Sequence, residues 1–507
     1  MPDIVLTTIN ARYVHAALGL RYLQANLGDL QSRAAVCEFV LGQRATEIVE
    51  DLLRLNPRII GIGVYIWNVE ECTRVVAQLK RVAPQVVVVV GGPEVSYETQ
   101  EQRICALADY VITGWGDVTF PRLARELLSG GTPAQKLIAG EQPPLAQIAL
   151  PYRHYTDEDI AKRFIYVEAS RGCPFKCEFC LSALDKTAWP FELDAFMAEL
   201  ETLYARGARN FRFVDRTFNL KVAVSERILQ FFLDRMDDNL FLHFELIPDH
   251  LPDKLKEIIA RFPPGALHFE IGIQSWNVTV QARISRRQDN AQAEANIRWL
   301  RDSNALIHVD LIAGLPGEDL TSFGAGFDRL RVLQPHEIQV GILKRLRGAP
   351  IDRHTATHQL RFNPDPPYNV LSTDCIAFTD MQRIVRFARY WDLVGNSGRF
   401  HQALPLLLGA APFAQFMRFA DWLYERTHKT HEFAFERLCE FLQVHLVEVA
   451  RVDAAVATAA VLADYQASGA RGRLAFMDAG VRPREANNGA SSTARARMRQ
   501  ARHVTAA

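Results

Sequence analysis

At 507 residues the chain is too long for one ordinary domain, and its length suggests about three folding units. A hydrophobic share of 49% beside 23% charged residues is the mix of a globular protein with ample material for buried cores, which argues against a disordered polymer. Lys plus Arg equals Asp plus Glu at 58 each, so no global field recruits a polyanion and nucleic acid is disfavoured as a partner.

The chain opens Met-Pro-Asp-Ile-Val-Leu-Thr-Thr, which predicts a strand and carries no basic segment or cleavage site. Apolar runs are no longer than segments such as Val86–Val90, short of a membrane span. The expectation is a cytoplasmic protein without membrane contact, its eight cysteines mostly reduced. Residues 1–132 alternate strand and helix patterns: strands at Ile4–Thr8, Ala34–Leu41, Arg58–Trp67, Gln85–Val90 and Asp109–Thr113, with amphipathic stretches between them. Continuous apolar strands alternating with helices predict a Rossmann-like, doubly wound parallel sheet covered on both faces. Ligands of such a sheet sit beyond the carboxyl ends of its strands, where Gly63, Gly91, Gly92, Gly114 and Gly116 cluster.

Residues 133–160 are proline-rich and read as a linker. A second βα series occupies 161–346, with strands predicted at Phe164–Ala169, Asn210–Val214, Leu240–Ile247, Leu267–Ile273, Leu306–Ile312 and Glu337–Leu343. Six repeats predict a partial βα barrel, whose functional side chains belong at the carboxyl ends of its strands. A helix-rich region follows over 347–478, and residues 479–507 read as a disordered tail of Ala, Asn, Ser and Arg.

The strongest chemical signal follows the first strand of the second series: Arg171-Gly172-Cys173-Pro174-Phe175-Lys176-Cys177-Glu178-Phe179-Cys180. Three thiolates on one short loop are soft ligands suited to zinc or iron–sulfur. A structural zinc site wants a fourth ligand, yet Cys375 and Cys439 lie far along the chain. Three ligands on a cubane would leave one iron open.

This loop resembles the defining motif of the radical S-adenosylmethionine (SAM) superfamily. The resemblance implies a [4Fe–4S] cluster on Cys173, Cys177 and Cys180 that splits SAM into methionine and a 5′-deoxyadenosyl radical. Later strand ends resemble the family's SAM-facing segments: Phe213–Asn219 with Asp215, and Arg216 where a second acid is common; Glu245–Pro248; Glu270–Ser275 with Glu270, Gln274 and Ser275; and Asp310–Glu318 with Asp310 and Gly314. The glycine loops Gly61-Ile62-Gly63, Gly91-Gly92-Pro93 and Gly114-Trp115-Gly116-Asp117 resemble those of the cobalamin-binding branch, where they cradle the corrin. That branch's Asp-x-His-x-x-Gly loop is missing. His15 stands in a comparable place without the aspartate, which leaves a cobalt ligand, a hydrogen bond to the cofactor edge or packing at a helix start as its roles. Tyr368–Thr373 and Asn396–Phe400 resemble a C-terminal domain of unknown function.

The resemblance implies a cobalamin-dependent enzyme that methylates an unactivated carbon of a small-molecule or macromolecular substrate, fed by an electron donor such as flavodoxin or ferredoxin. The alternatives are a radical cyclisation or rearrangement without methyl transfer, and a non-catalytic cobalamin or redox sensor. The tRNA-modifying methylthiotransferases carry a second upstream cysteine triad, whereas Cys37, Cys72 and Cys105 are scattered here.

Overall fold

The computed structural model describes residues 1–185, 187–477, 499, 502 and 503. The tail expected from 479 onward therefore lies outside the described residues, apart from those last three positions.

The first sheet contains β1 (Ile4–Asn10), β2 (Ala34–Val40), β3 (Ile59–Gly63), β4 (Val87–Gly91), β5 (Tyr110–Thr113) and β6 (Leu137–Ala139), in the order β2-β1-β3-β4-β5-β6 and parallel throughout. Period-two alternation sends Val5, Ile9, Ile60, Ile62, Val88 and Val90 into one core. Ile4, Leu6, Ile59, Val89 and Ile112 enter another, which is why these strands are apolar end to end. Helix Val69–Val82 buries Cys72, Val75, Val76 and Leu79 on the first face, while Thr119–Leu128 buries Phe120, Leu123 and Ala124 on the second. The strand order reverses between β1 and β3, opening a crevice at their carboxyl ends. β6 lies where the composition suggests only a linker. Its three residues carry too little pattern to announce a strand, and pairing with β5 makes it one.

The second sheet runs β14 (Glu337–Ile342), β13 (Leu306–Ala313), β12 (Leu267–Gln274), β11 (Phe241–Leu246), β10 (Asn210–Phe213) and β7 (Ile165–Val167), each parallel to its neighbour. Neighbours in chain order are the signature of a βα barrel, left open here between β7 and β14. Glu245 on β11, Glu270 on β12 and Asp310 on β13 line one cavity of this barrel. Two short antiparallel strands, β8 (Ser170–Gly172) and β9 (Ala188–Pro190), clamp the two ends of the cysteine loop.

Beyond the barrel, β15 (Arg361–Phe362) and β16 (Val370–Ser372) form a small antiparallel pair, followed by helices Phe378–Leu393, Ala403–Leu408, Pro412–Thr427, Phe435–Glu448 and Ala454–Ala467. They share the barrel's core rather than building a separate one: Phe327 meets Phe387 at 5.0 Å and Trp391 at 4.8 Å. Asn396 bonds the backbone N–H and C=O of Ile338, both at 2.9 Å, on the edge strand β14. Among the described residues no helix is long and apolar enough to cross a membrane.

Candidate active site

Cys173, Cys177 and Cys180 line one cavity of about 240 Å³ at the carboxyl ends of the barrel strands. No three Cys, His, Asp or Glu among the described residues converge tightly enough to hold a single ion. Three soft thiol ligands on one cavity wall, without a fourth Cys or His among its lining residues, suit an iron–sulfur cluster with one open iron better than a four-ligand structural zinc. Arg286 directs a guanidinium N–H at Cys177 Sγ (3.5 Å) and a second at the Gly272 carbonyl, so a positive charge awaits the thiolates. Glu178, inside the motif, is anchored by Arg353, Ser285 and His354, the last at 2.8 Å, which pins the loop to the far side of the barrel.

Glu270, Gln274 and Asp310 line the same cavity, together with Arg216 and Glu245, which pair at 2.8 Å. Burial works against the Glu270 charge, but His243 at 3.3 Å and the positive charges of His308 and Arg216 outweigh it, so its carboxyl lies below the usual range. Burial also opposes charge on His308. Asp310 at 3.1 Å and the carboxylates of Glu337 and Glu270 prevail and raise that imidazole to about 9. Burial pushes Asp310 up. The cavity is thus lined by half-buried acids, with the imidazoles of His243 and His308 paired to them from behind, rather than by the apolar filling of an ordinary barrel.

The remaining predicted SAM residues stand behind this surface. Asp215 accepts from Ala169 N (3.0 Å) and Ser170 Oγ (2.6 Å), bracing the turn that feeds the cysteine loop; burial raises it to about 7. Ser275 is buried and donates to Glu318. Gly314 has φ +87°, and a Cβ there would sit 2.5 Å from the Val370 side chain, so it seats the C-terminal region.

A second cavity of about 250 Å³ opens at the crevice of the first sheet, lined by Gly63, Gly91, Gly92, Gly114 and Gly116 with Gly19, Gly61, Tyr65 and Trp115. Backbone forms much of its wall. Gly92 has φ +114°, and a Cβ there would lie 2.5 Å from the Val64 carbonyl oxygen. A broad, side-chain-free wall suits a flat macrocycle. His15 is not among the lining residues: its Nδ1 meets the Tyr166 hydroxyl at 2.6 Å, beside Phe164 at the base of the barrel, and burial lowers its pKa to about 4.

Arg171, unassigned by sequence reasoning, ties the glycine cleft to the cysteine loop. It lines the glycine cleft yet stands two residues before Cys173. Its guanidinium stacks on Tyr22 (4.6 Å) and Trp115 (4.7 Å) and pairs with Asp117 (3.0 Å) and Glu168 (2.7 Å). Its position in the Arg-Gly-Cys run was the available signal; its partners, 54 residues away at Asp117, were not visible.

Comparison with known proteins agrees with this layout. Residues 4–124 match the B12 binding domain, 167–328 the radical SAM superfamily, and 356–478 a protein domain of unknown function, DUF4080. An uncharacterized methyltransferase of Pyrococcus horikoshii is 28% identical over 245 residues, 43% of this chain, and the match spans only about half (53%) of that protein. Two solved structures share the fold. The radical SAM methyltransferase TsrM from Kitasatospora setae, with tryptophan and a SAM analogue bound, gives a TM-score of 0.59 at 18% identity, over 72% of this chain and 79% of that one. The cobalamin-dependent SAM radical enzyme OxsB with aqua-cobalamin gives 0.61 at 14% identity, over 100% and 84%. With these three domains in this order, the chain belongs to the cobalamin-binding proteins of the radical SAM superfamily.

Proposed function

We propose that this protein is a cobalamin-dependent radical SAM enzyme that methylates an unactivated carbon, with Cys173, Cys177 and Cys180 holding a [4Fe–4S] cluster. The observation that carries the reading is Arg171, which lines the glycine cleft, pairs there with Asp117 and stacks on Trp115, and stands two residues before the first cysteine of the cluster loop. When bound, the reduced cluster and SAM supply the 5′-deoxyadenosyl radical, and cobalamin supplies the methyl group.

The chain's own residues bind, orient and shield. Arg286 offsets thiolate charge at Cys177. Glu270, held ionised by His243, and Gln274 offer oxygen acceptors on the cavity wall for the polar groups of SAM. The cleft glycines admit the corrin face, and Tyr65, stacked on Trp67 at 4.5 Å, walls the cleft with an aromatic pair. His15, hydrogen-bonded to Tyr166, supports a reading in which cobalamin is held without a histidine ligand. Electrons would come from a small donor of the flavodoxin or ferredoxin kind.

The test is anaerobic reconstitution with iron, sulfide and cobalamin, then SAM, a reductant and an extract of cells lacking the protein. Methylation yields both 5′-deoxyadenosine and S-adenosylhomocysteine beside a product heavier by one methylene. Deoxyadenosine without S-adenosylhomocysteine replaces methylation by cyclisation or rearrangement. Neither product means no turnover and leaves a sensor.

A further inference from the structure

The loop after β4 carries more than the glycines of the cleft. Ser96 Oγ donates to the Gly92 carbonyl (2.8 Å) and accepts from Gly114 N (3.0 Å), so one hydroxyl joins both glycine loops. The same loop turns its other side to the rest of the chain. Glu94, 3% exposed, and Glu98 face Arg347 at 3.1 and 2.7 Å, and Arg345 reaches Glu98 at 3.0 Å. Tyr97 packs on Gly348, whose φ of +82° and lack of a side chain permit the approach.

Tyr368, from the C-terminal region, completes the node. It donates to Glu94 (2.8 Å), accepts from Arg347 (3.2 Å) and lies beneath that guanidinium at 4.9 Å. Its backbone is stitched to the end of the barrel: Arg345 N donates to the Tyr368 carbonyl (2.9 Å), and Val370 N to that of Leu343 (2.7 Å). Three segments of the chain thus meet on one buried carboxylate.

We propose that this node is a latch through which the C-terminal domain holds the cobalamin-bearing loop in register with the barrel, with Tyr368 and Arg347 as positioning residues for the cofactor. The inference rests on the cobalamin reading of the glycine cleft. A buried carboxylate deprived of its partners must shift or take up a proton, so Glu94 stays seated only while Tyr368 and Arg347 hold it. Moving Glu94 moves Gly92 and Ser96, and with them both glycine loops. Linkage then works in both directions: if a closed latch favours cobalamin, cobalamin favours a closed latch.

The experiment uses the full chain, titrated with hydroxocobalamin by absorbance, and amide hydrogen exchange with and without it. Tyr368→Phe and Arg347→Met should each weaken cobalamin binding about tenfold, the scale of one hydrogen bond to a charged group. Iron content should stay unchanged. Tyr368→Phe combined with Glu94→Gln should lose less than the sum of the two single losses, because both act on the Tyr368–Glu94 contact. Arg426→Ala, which breaks an exposed pair with Glu448 in the same C-terminal region, should bind as the unaltered protein does. Cobalamin should slow exchange at the Arg345 and Val370 amides. Equal affinity across the variants overturns the latch, and so does cobalamin uptake that leaves those amides unchanged. The exchange result stands even if a variant fails to fold. No uptake by the unaltered protein overturns the cobalamin reading instead.

Discussion

Arg286 and His308 give the sharpest expectations for single side chains. Positive charge and hydrogen bonding at a cluster sulfur stabilise the reduced form, so Arg286→Ala should keep its iron yet show a lower midpoint potential in an electron paramagnetic resonance titration. Cys177→Ala, by contrast, should lose most bound iron in an elemental assay. His308 tests linkage. Its folded pKa of about 9 lies above the ordinary 6.5, so its contribution is fully present below pH 6.5 and is lost as pH rises through 9. Denaturant melts at pH 6.5 and 9.5 should differ by up to about 3 kcal/mol more in the unaltered protein than in His308→Gln. The cysteine spacing and Glu270 were legible because a local motif and a strand end announce them. The imidazoles of His243 and His308 were not, since a lone histidine in a strand looks the same whether it faces solvent or a carboxylate on its own or the next strand.

Among the elements, strand ends set the cleft. Gly92→Val should abolish cobalamin uptake, because a Cβ meets the Val64 carbonyl and the backbone sits at φ +114°. Gly42→Ala offers the comparison: φ is +94° but nothing lies within 4 Å, so it should cost some stability and leave uptake intact. His15→Ala should likewise retain cobalamin, with little change in the cobalt spectrum, since its ring is spent on Tyr166. β4 was readable from its run of valines before two glycines, the mark of a strand buried on both faces and then stopped. β8 and β9 were not readable. Ser170–Gly172 has neither periodicity nor β-branched residues, and becomes a strand only because Ala188–Pro190 returns to pair with it.

At the scale of the whole molecule, three units in a fixed order were legible from composition and period, but their mutual docking was not. Docking depends on single polar residues meeting across hundreds of positions. Asn396 is one: its amide pairs like a piece of strand with Ile338 and covers backbone that the barrel's edge would otherwise leave bare. Asn396→Leu should lower stability by about 2–3 kcal/mol in a urea melt, the cost of stranding two buried backbone groups. Arg171 is another. Because the cysteine loop supplies the guanidinium and the glycine loop supplies Asp117 and Trp115, neither domain is interchangeable alone. A chimera that grafts the cobalamin-binding half of a relative onto this barrel keeps Glu168 beside Arg171 but loses Asp117 and Trp115, its partners across the domain boundary. Such a graft should recover cofactor uptake only when positions 115, 117 and 171 travel together as one unit of inheritance.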